Sequence, residues 1–219
     1  MKYRMLMFDL DGTLTDSREG IVRSIEMALA RMGREIPDGV TMNRFIGPSL
    51  YTGFQEILGF SPEDSSRAVA LFRERYQKEG IYENRVFPGI PQVLDALKSH
   101  YTLAVATAKP EISARVVLDH FDLTSRFETI CGASLDLDRI HKDQVIARVL
   151  EEHPEMDPGE ILMIGDRIHD IEGARANGTD VAAVLYGYGD REELAGADYL
   201  VDGVEDLRTL LLPAFREGR

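Results

Sequence analysis

Met5-Leu6-Met7-Phe8-Asp9-Leu10-Asp11-Gly12-Thr13 is the stretch on which the reading of this chain turns. An apolar run with no polar alternation, cut off sharply, is the pattern of a strand buried on both faces of a parallel sheet. The run stops at Asp9, and Asp11 follows two residues later. With the two-residue period of a strand, both carboxylates point into one crevice at the strand's C-terminal end. Taken alone, a strand closing in an Asp-Gly turn is the simpler reading. In an open parallel sheet, however, ligands bind beyond the carboxyl ends of the strands, where this pair stands.

Outward from that stretch, short apolar runs alternate with amphipathic segments, the pattern of an α/β protein. Strands are expected at Arg4–Asp9, Thr102–Thr107, Thr129–Gly132, Ile161–Asp166 and Val181–Tyr186, with Tyr199–Val201 as an edge. Residues 10–101 are far more than one crossover helix needs, and most of them read as helix. Asp16 and Glu19 form a capping pair for a helix running to Gly33, along which Ile21, Ile25, Ala28, Leu29 and Met32 recur at helical spacing. Two more helices follow, Ser49–Leu58 ending at Gly59 and Pro62–Glu79 ending at Gly80, with Pro62 in a first turn. The expected organisation is a small helical insert over residues 16–82 and a sheet domain made of residues 1–15 and 83–219.

Composition narrows the function. A chain of 219 residues with 44% hydrophobic and 29% charged residues is an ordinary folded protein, one large domain or one domain with an insert. The excess of 38 Asp+Glu over 25 Lys+Arg leaves a net charge of -13, which opposes a nucleic-acid partner. The longest stretch free of charged residues, Phe45–Gln55, falls short of the roughly 18 apolar residues of a membrane span, so no membrane partner is expected. The apolar run before Asp9 is likewise shorter than the ~7 to 15 residues of a signal-peptide core. Cys131 is the single cysteine, so no internal disulfide forms and a cytoplasmic location is the expectation.

A second acidic pair follows another apolar strand, in Leu162-Met163-Ile164-Gly165-Asp166-Arg167-Ile168-His169-Asp170. Four carboxylates at one rim repel one another by roughly 4 kcal/mol per pair at ~4 Å and an effective dielectric of ~20. A cation is implied, and oxygen ligands without a Cys or His cluster favour Mg²⁺ over Zn²⁺. The structural alternative is that Asp166 and Asp170 cap the following helix. Thr107 and Lys142 end or follow other strands, where they offer a hydroxyl and a point charge to a phosphoryl group. Either one alone reads as a helix cap or a solvated lysine.

The ordered set resembles the haloacid dehalogenase superfamily of phosphohydrolases, whose motifs are DxDGT, a Ser or Thr, a Lys and an acidic pair. Here they are Asp9-Leu10-Asp11-Gly12-Thr13, Thr107, Lys142, and Gly165-Asp166 with Asp170. The resemblance spans nearly the whole chain and implies a Rossmann-like parallel sheet core with an inserted small α-helical cap domain. Within the superfamily the chain is most similar to the phosphoglycolate phosphatase group and its 5'-nucleotidase-like relatives, through Phe45-Ile46-Gly47-Pro48, Lys109-Pro110, His120-Phe121 and Gly165-Asp166-Arg167. Ser49 replaces a second proline, and Ala108 stands where many relatives carry Asn or Ser.

The resemblance implies that Asp9 is a nucleophile, that Asp11 protonates the leaving oxygen and then activates water, and that Lys142, Thr107 and the backbone near Ala108 bind the phosphoryl group. Mg²⁺ is expected between Asp9, the Asp11 backbone carbonyl and Asp166, with Asp170 orienting its waters or Lys142. The expected substrate is a small phosphomonoester, phosphoglycolate first and a nucleotide second. A sugar phosphomutase is a further alternative. A dehalogenase lacks the second acid that Asp11 supplies, and a phospho-signalling receiver domain has no need of the helical insert. Oligomeric state stays open between monomer and homodimer. Arg44, beside the Phe-Ile-Gly-Pro turn, is the expected reader of an anionic substrate. Arg75 and Lys78 are expected to be solvated, His141 and His169 to lie at the surface with His169 near the site, and Phe54, Phe72 and Tyr76 to form the core of the insert.

Overall fold

The computed structural model describes residues 2–212. Its strands are β1 (Met5–Phe8), β2 (Thr15–Asp16), β3 (Arg85–Val86), β4 (Thr102–Pro110), β5 (Thr129–Ala133), β6 (Ile161–Gly165), β7 (Asp180–Val184) and β8 (Tyr199–Val201). The helices are α1 (Arg18–Arg31), α2 (Gly39–Asn43), α3 (Leu50–Leu58), α4 (Pro62–Tyr76), α5 (Ile90–Leu97), α6 (Glu111–His120), α7 (Lys142–Glu152), α8 (Ile168–Ala176) and α9 (Val204–Leu211).

Six strands form one parallel sheet in the order β5-β4-β1-β6-β7-β8. Alternation along each strand feeds two cores. Leu6, Phe8, Leu103, Val105, Leu162 and Ile164 pack on one face with α5, α6 and α9, whereas Met5, Met7, Ala104, Ala106 and Met163 face α7 and α8. Both faces are thereby covered, which is why β1 has no polar position. The chain leaves β1 towards β4 and β5, then returns to β6 on the other side. The order therefore reverses between β1 and β6, and their C-terminal ends open a crevice there.

The segment between β2 and β3 is helical, as the long interval suggested. Its two ends are pinned by an antiparallel ribbon pairing Thr15 with Val86 and Asp16 with Arg85, too short for any periodicity to announce. Ser17, not Asp16, occupies the cap position of α1, without a side-chain capping bond; Asp16 accepts from the Arg18 amide at 3.4 Å and from the Tyr188 hydroxyl at 2.9 Å and pairs with Arg85 at 2.6 Å. The short α2 also escapes the sequence pattern. Helix α3 stops at Gly59 in the left-handed region, at φ 67°. Helix α4 opens on Ser61, whose side chain accepts from the Asp64 amide at 3.1 Å, with Pro62 in the first turn. It ends at Tyr76 rather than Glu79, and residues Gly80–Tyr82 form a 3-10 turn that crosses α1 at Gly20. A Cβ on Gly20 would lie 1.9 Å from the Gly80 carbonyl oxygen, so only glycine allows that crossing. Phe45, Phe54, Phe72 and Tyr76 fill the interior of the insert, with ring centroids 5.2 Å apart for Phe45 and Phe54 and 4.9 Å apart for Phe72 and Tyr76. No helix among the described residues is long and apolar enough to cross a membrane.

Candidate active site

The crevice over the ends of β1 and β6 gathers the acidic residues. Asp9 leaves β1 with its amide bonded to the Ile164 carbonyl at 2.8 Å, which ties the end of β1 to β6. The chain then turns through Gly12 at φ 87°, and a Cβ there would lie 2.1 Å from Asp166 Oδ2. Glycine is required on both counts. Asp166, fully buried at the end of β6, accepts from Thr13 Oγ1 at 3.2 Å and from the Tyr188 amide at 2.8 Å. Asp170, in the first turn of α8, accepts from the Arg167 amide at 3.0 Å. Carboxylate oxygens of Asp9, Asp166 and Asp170 lie within 4.8 Å of one another.

Two buried ammonium groups offset this charge. Lys142, at the start of α7, ion-pairs with Asp9 and with Asp170 at 2.8 Å each and donates to the Ala106 carbonyl at 3.0 Å. Lys109, in the irregular end of β4, donates to both oxygens of Asp11, at 2.7 and 3.0 Å, and sits over the Tyr76 ring at 4.9 Å. Burial alone would discharge both lysines. Asp170 and Asp9 for Lys142, and Asp11 for Lys109, outweigh it and hold each ammonium above the usual lysine range. Burial pushes the Asp9 carboxyl up to about 6 against the opposing pull of Lys142, with Asp170 and Asp11 adding to the rise. Burial, then Asp170 and Asp9, raise Asp166 well above the carboxylate range. Four carboxylates thus face two ammoniums, and full ionisation leaves two uncompensated negative charges in a dry site. An all-oxygen set with that residual charge suits a divalent cation.

Above the carboxylates lies a cavity of about 200 Å³. Its floor is formed by Asp9, Asp11, Thr107, Ala108 and Lys109, its roof by residues of α1, α3, α4 and the turn at 45–49, and its side by the loop after β5. Over residues 6–184 the sequence matches the family of haloacid dehalogenase-like hydrolases.

The chain belongs to that family.

A relative from Pseudomonas aeruginosa named 5'-nucleotidase is 45% identical over 195 residues, covering 89% of this chain and 88% of that one. The tyrosine-protein kinase PtkA of Mycobacterium tuberculosis is 40% identical over 188 residues, 85% of this chain and 63% of its own length. A phosphoglycolate phosphatase of Aquifex aeolicus is 33% identical over 190 residues, 84% of this chain and 86% of that one. Among solved structures, a predicted phosphatase from Clostridium acetobutylicum superposes with a TM-score of 0.92 at 38% identity, covering 96% of this chain and 98% of that one. This hydrolase is accordingly a phosphatase of the haloacid dehalogenase-like family.

In the hydrolase, Asp9, Asp11, Thr107, Ala108, Lys142, Asp166 and Asp170 stand at one rim of the sheet. The Asp11 side chain is not part of the three-carboxylate group, because it turns to Lys109. Arg44 stands apart: it closes α2 exposed to solvent, since its neighbours Met42, Phe45 and Ile46 take the buried positions, and it does not line the cavity. Arg75 is not solvated but bound to Glu83 at 2.7 Å, and His169 turns to Glu172 at 3.8 Å. Phe72 and Tyr76, expected only in the core of the insert, also line the cavity.

Two residues escaped the sequence reading. Lys109 was visible only as part of Lys109-Pro110, and its partner is 98 residues away. Arg167 bonds through Nη1 to the Ile46 carbonyl and at 3.4 Å to that of Asn43, and through Nε to Glu193 at 2.8 Å. It joins the end of β6 to the Phe45-Ile46-Gly47-Pro48 turn, so Gly165-Asp166-Arg167 and that turn are one contact rather than two signals.

Proposed function

We propose that the chain is a Mg²⁺-dependent hydrolase of a small phosphomonoester, working through an aspartyl-phosphate on Asp9, with residues 16–82 as a cap over a core of residues 1–15 and 83–219. The observation that carries this reading is the pairing of two carboxylates at one crevice with two separate buried lysines, which gives each a different task. Asp9, held by Lys142 at 2.8 Å, attacks phosphorus as the bond to the leaving oxygen breaks. Asp11, held by Lys109 at 2.7 Å, gives that oxygen a proton and later takes one from the water that displaces Asp9 and releases phosphate. Lys142, Thr107 and the backbone at Ala108 bind the phosphoryl oxygens, and Asp170 keeps Lys142 in place. Asp9, Asp166 and the Asp11 backbone carbonyl would hold Mg²⁺, which when bound neutralises phosphoryl charge. The roof of the cavity excludes bulk water from the intermediate.

Phosphoglycolate is the first substrate reading and a nucleoside monophosphate the second, the latter favoured by the 45% identity to the relative named 5'-nucleotidase. The test is phosphate release from a panel of phosphomonoesters with Mg²⁺, with Asp9→Asn alongside and a protein tyrosine offered as an alternative acceptor. Phosphate released over many turnovers, and lost in a folded Asp9→Asn variant, is the expected result. Persistent turnover in Asp9→Asn would overturn the covalent route, and preferential transfer to the tyrosine or to a sugar hydroxyl would overturn hydrolysis.

A further inference from the structure

Beyond the carboxylates, the cavity changes character. Phe45 and Leu50 line it on one wall, Val69 and Phe72 on the other, and Leu135 and Leu137 stand at its mouth, 52% and 42% exposed. Ser49, Ser66, Gln77, Ser113 and Ser134 also border the cavity, but a heavily hydroxylated group set against the apolar side chains themselves would lose water without gaining partners there. A flat apolar ring loses nothing there. At about 200 Å³ the space suits one compact group.

Arg73 is the second observation. Helix α4 turns Val69, Phe72, Arg73 and Tyr76 into the cavity at helical spacing. Nearby arginines are engaged, Arg75 with Glu83, Arg31 with Glu74, Arg34 with Asp64 and Arg23 with Glu83, and Arg67 of the same helix, which has no such partner among the described residues, is exposed to solvent and does not line the cavity. In a chain with 38 acidic residues, Arg73 has no side-chain hydrogen bond or ion pair among the described residues, although it is half-buried. Its planar fork of donors is free to take a carboxylate or carbonyl edge. The two lysines in the site are already committed to carboxylates.

We infer that the organic half of the substrate is a single apolar ring carrying a carboxylate or carbonyl at its far edge, with the ring against Leu50 and Val69 and the acceptor on Arg73. The inference rests on the phosphatase reading above and selects ring-bearing phosphates over phosphoglycolate.

Benzyl phosphate, its 3- and 4-carboxy derivatives, ethyl phosphate and phosphoglycolate share alkyl leaving oxygens, so their kcat/KM values with the full chain and Mg²⁺ compare binding rather than leaving ability. Benzyl phosphate should exceed ethyl phosphate and phosphoglycolate by about tenfold or more, as ring burial predicts. One carboxybenzyl isomer should do better still. Arg73→Gln should raise KM for that isomer about tenfold, leave benzyl phosphate within about twofold, and be partly rescued by Arg73→Lys. A preference for phosphoglycolate, or an equal response of both benzyl substrates to Arg73→Gln, would overturn the inference while leaving the phosphatase reading intact. If none of the five releases phosphate in an Asp9-dependent manner, the inference fails, and the phosphatase reading fails with it only if nucleoside monophosphates are also left intact.

Discussion

Replacing Lys109 by Met isolates what one buried charge does for this fold. The side chains of Lys109 and Asp11 are only 4% and 11% exposed, so solvent screens their 2.7 Å contact little. At an effective dielectric of ~20 the gross attraction across ~3 Å is about 5 kcal/mol. The variant keeps most of the aliphatic stem but leaves Asp11 a buried carboxylate without a partner, a change that costs about 3 to 5 kcal/mol where water is excluded. The opening of the crevice beside Asp11 argues for the lower end, about 3 kcal/mol. The lost contact with the Tyr76 ring at 4.9 Å contributes in the same direction. Urea unfolding at pH 7, followed by circular dichroism, should register that loss, with a fall in Tm of roughly 6 to 12 °C for a chain of this size. Adding Asp11→Asn removes the stranded charge, so the double variant should recover about half of the loss. A Lys109→Met protein within 1 kcal/mol of the parent, or a double variant showing the plain sum of the two single effects, would refute the reasoning.

Mg²⁺ at about 100 times its Kd should stabilise the parent by about 2.7 kcal/mol, and Asp166→Asn should abolish the shift; an equal shift in both proteins would count against the carboxylate site. Gly12→Ala should remove the same Mg²⁺-dependent shift by displacing Asp166, besides introducing backbone strain of about 1 to 3 kcal/mol at φ 87°; an unchanged Mg²⁺ response would show that the close approach is relieved elsewhere. Hydrogen bonds from Arg75, and then from Arg23, draw the Glu83 carboxyl down to about 2 from its usual 4.5. Its stabilisation is therefore complete above about pH 4.5 and is lost as pH falls towards 2, so the urea midpoints of the parent and Glu83→Gln should differ at pH 6, draw together below about pH 4.5 and converge only at about pH 2; a gap that does not depend on pH would exclude the ion pairs. Burial raises the Cys131 thiol to about 11, so a thiol reagent at pH 8 should label it only on unfolding; rapid labelling of the native chain would contradict its position in the core.

What was legible in the sequence was local. The strands of the parallel sheet announce themselves because both faces of β1, of β6 and of residues 103–106 in β4 are buried and carry no polar residue, and the carboxylates stand out because they interrupt such runs. Helices α1, α3 and α4 follow from periodicity and, for α3 and α4, from Gly59, Ser61 and Pro62, all short-range effects. What only the tertiary structure decided was partnership. Lys109 meets Asp11, Asp16 meets Arg85, and Arg167 meets the turn at Ile46 across separations that leave no pattern along the chain. The same holds for the choice among arginines. Arg44, Arg73 and Arg75 look alike in sequence, yet Arg75 finds Glu83, Arg44 faces solvent, and Arg73 is turned into the cavity without a partner. A charged side chain's role depends on which opposite charges folding brings within about 4 Å, and that distance is a property of the packed chain rather than of its order of residues.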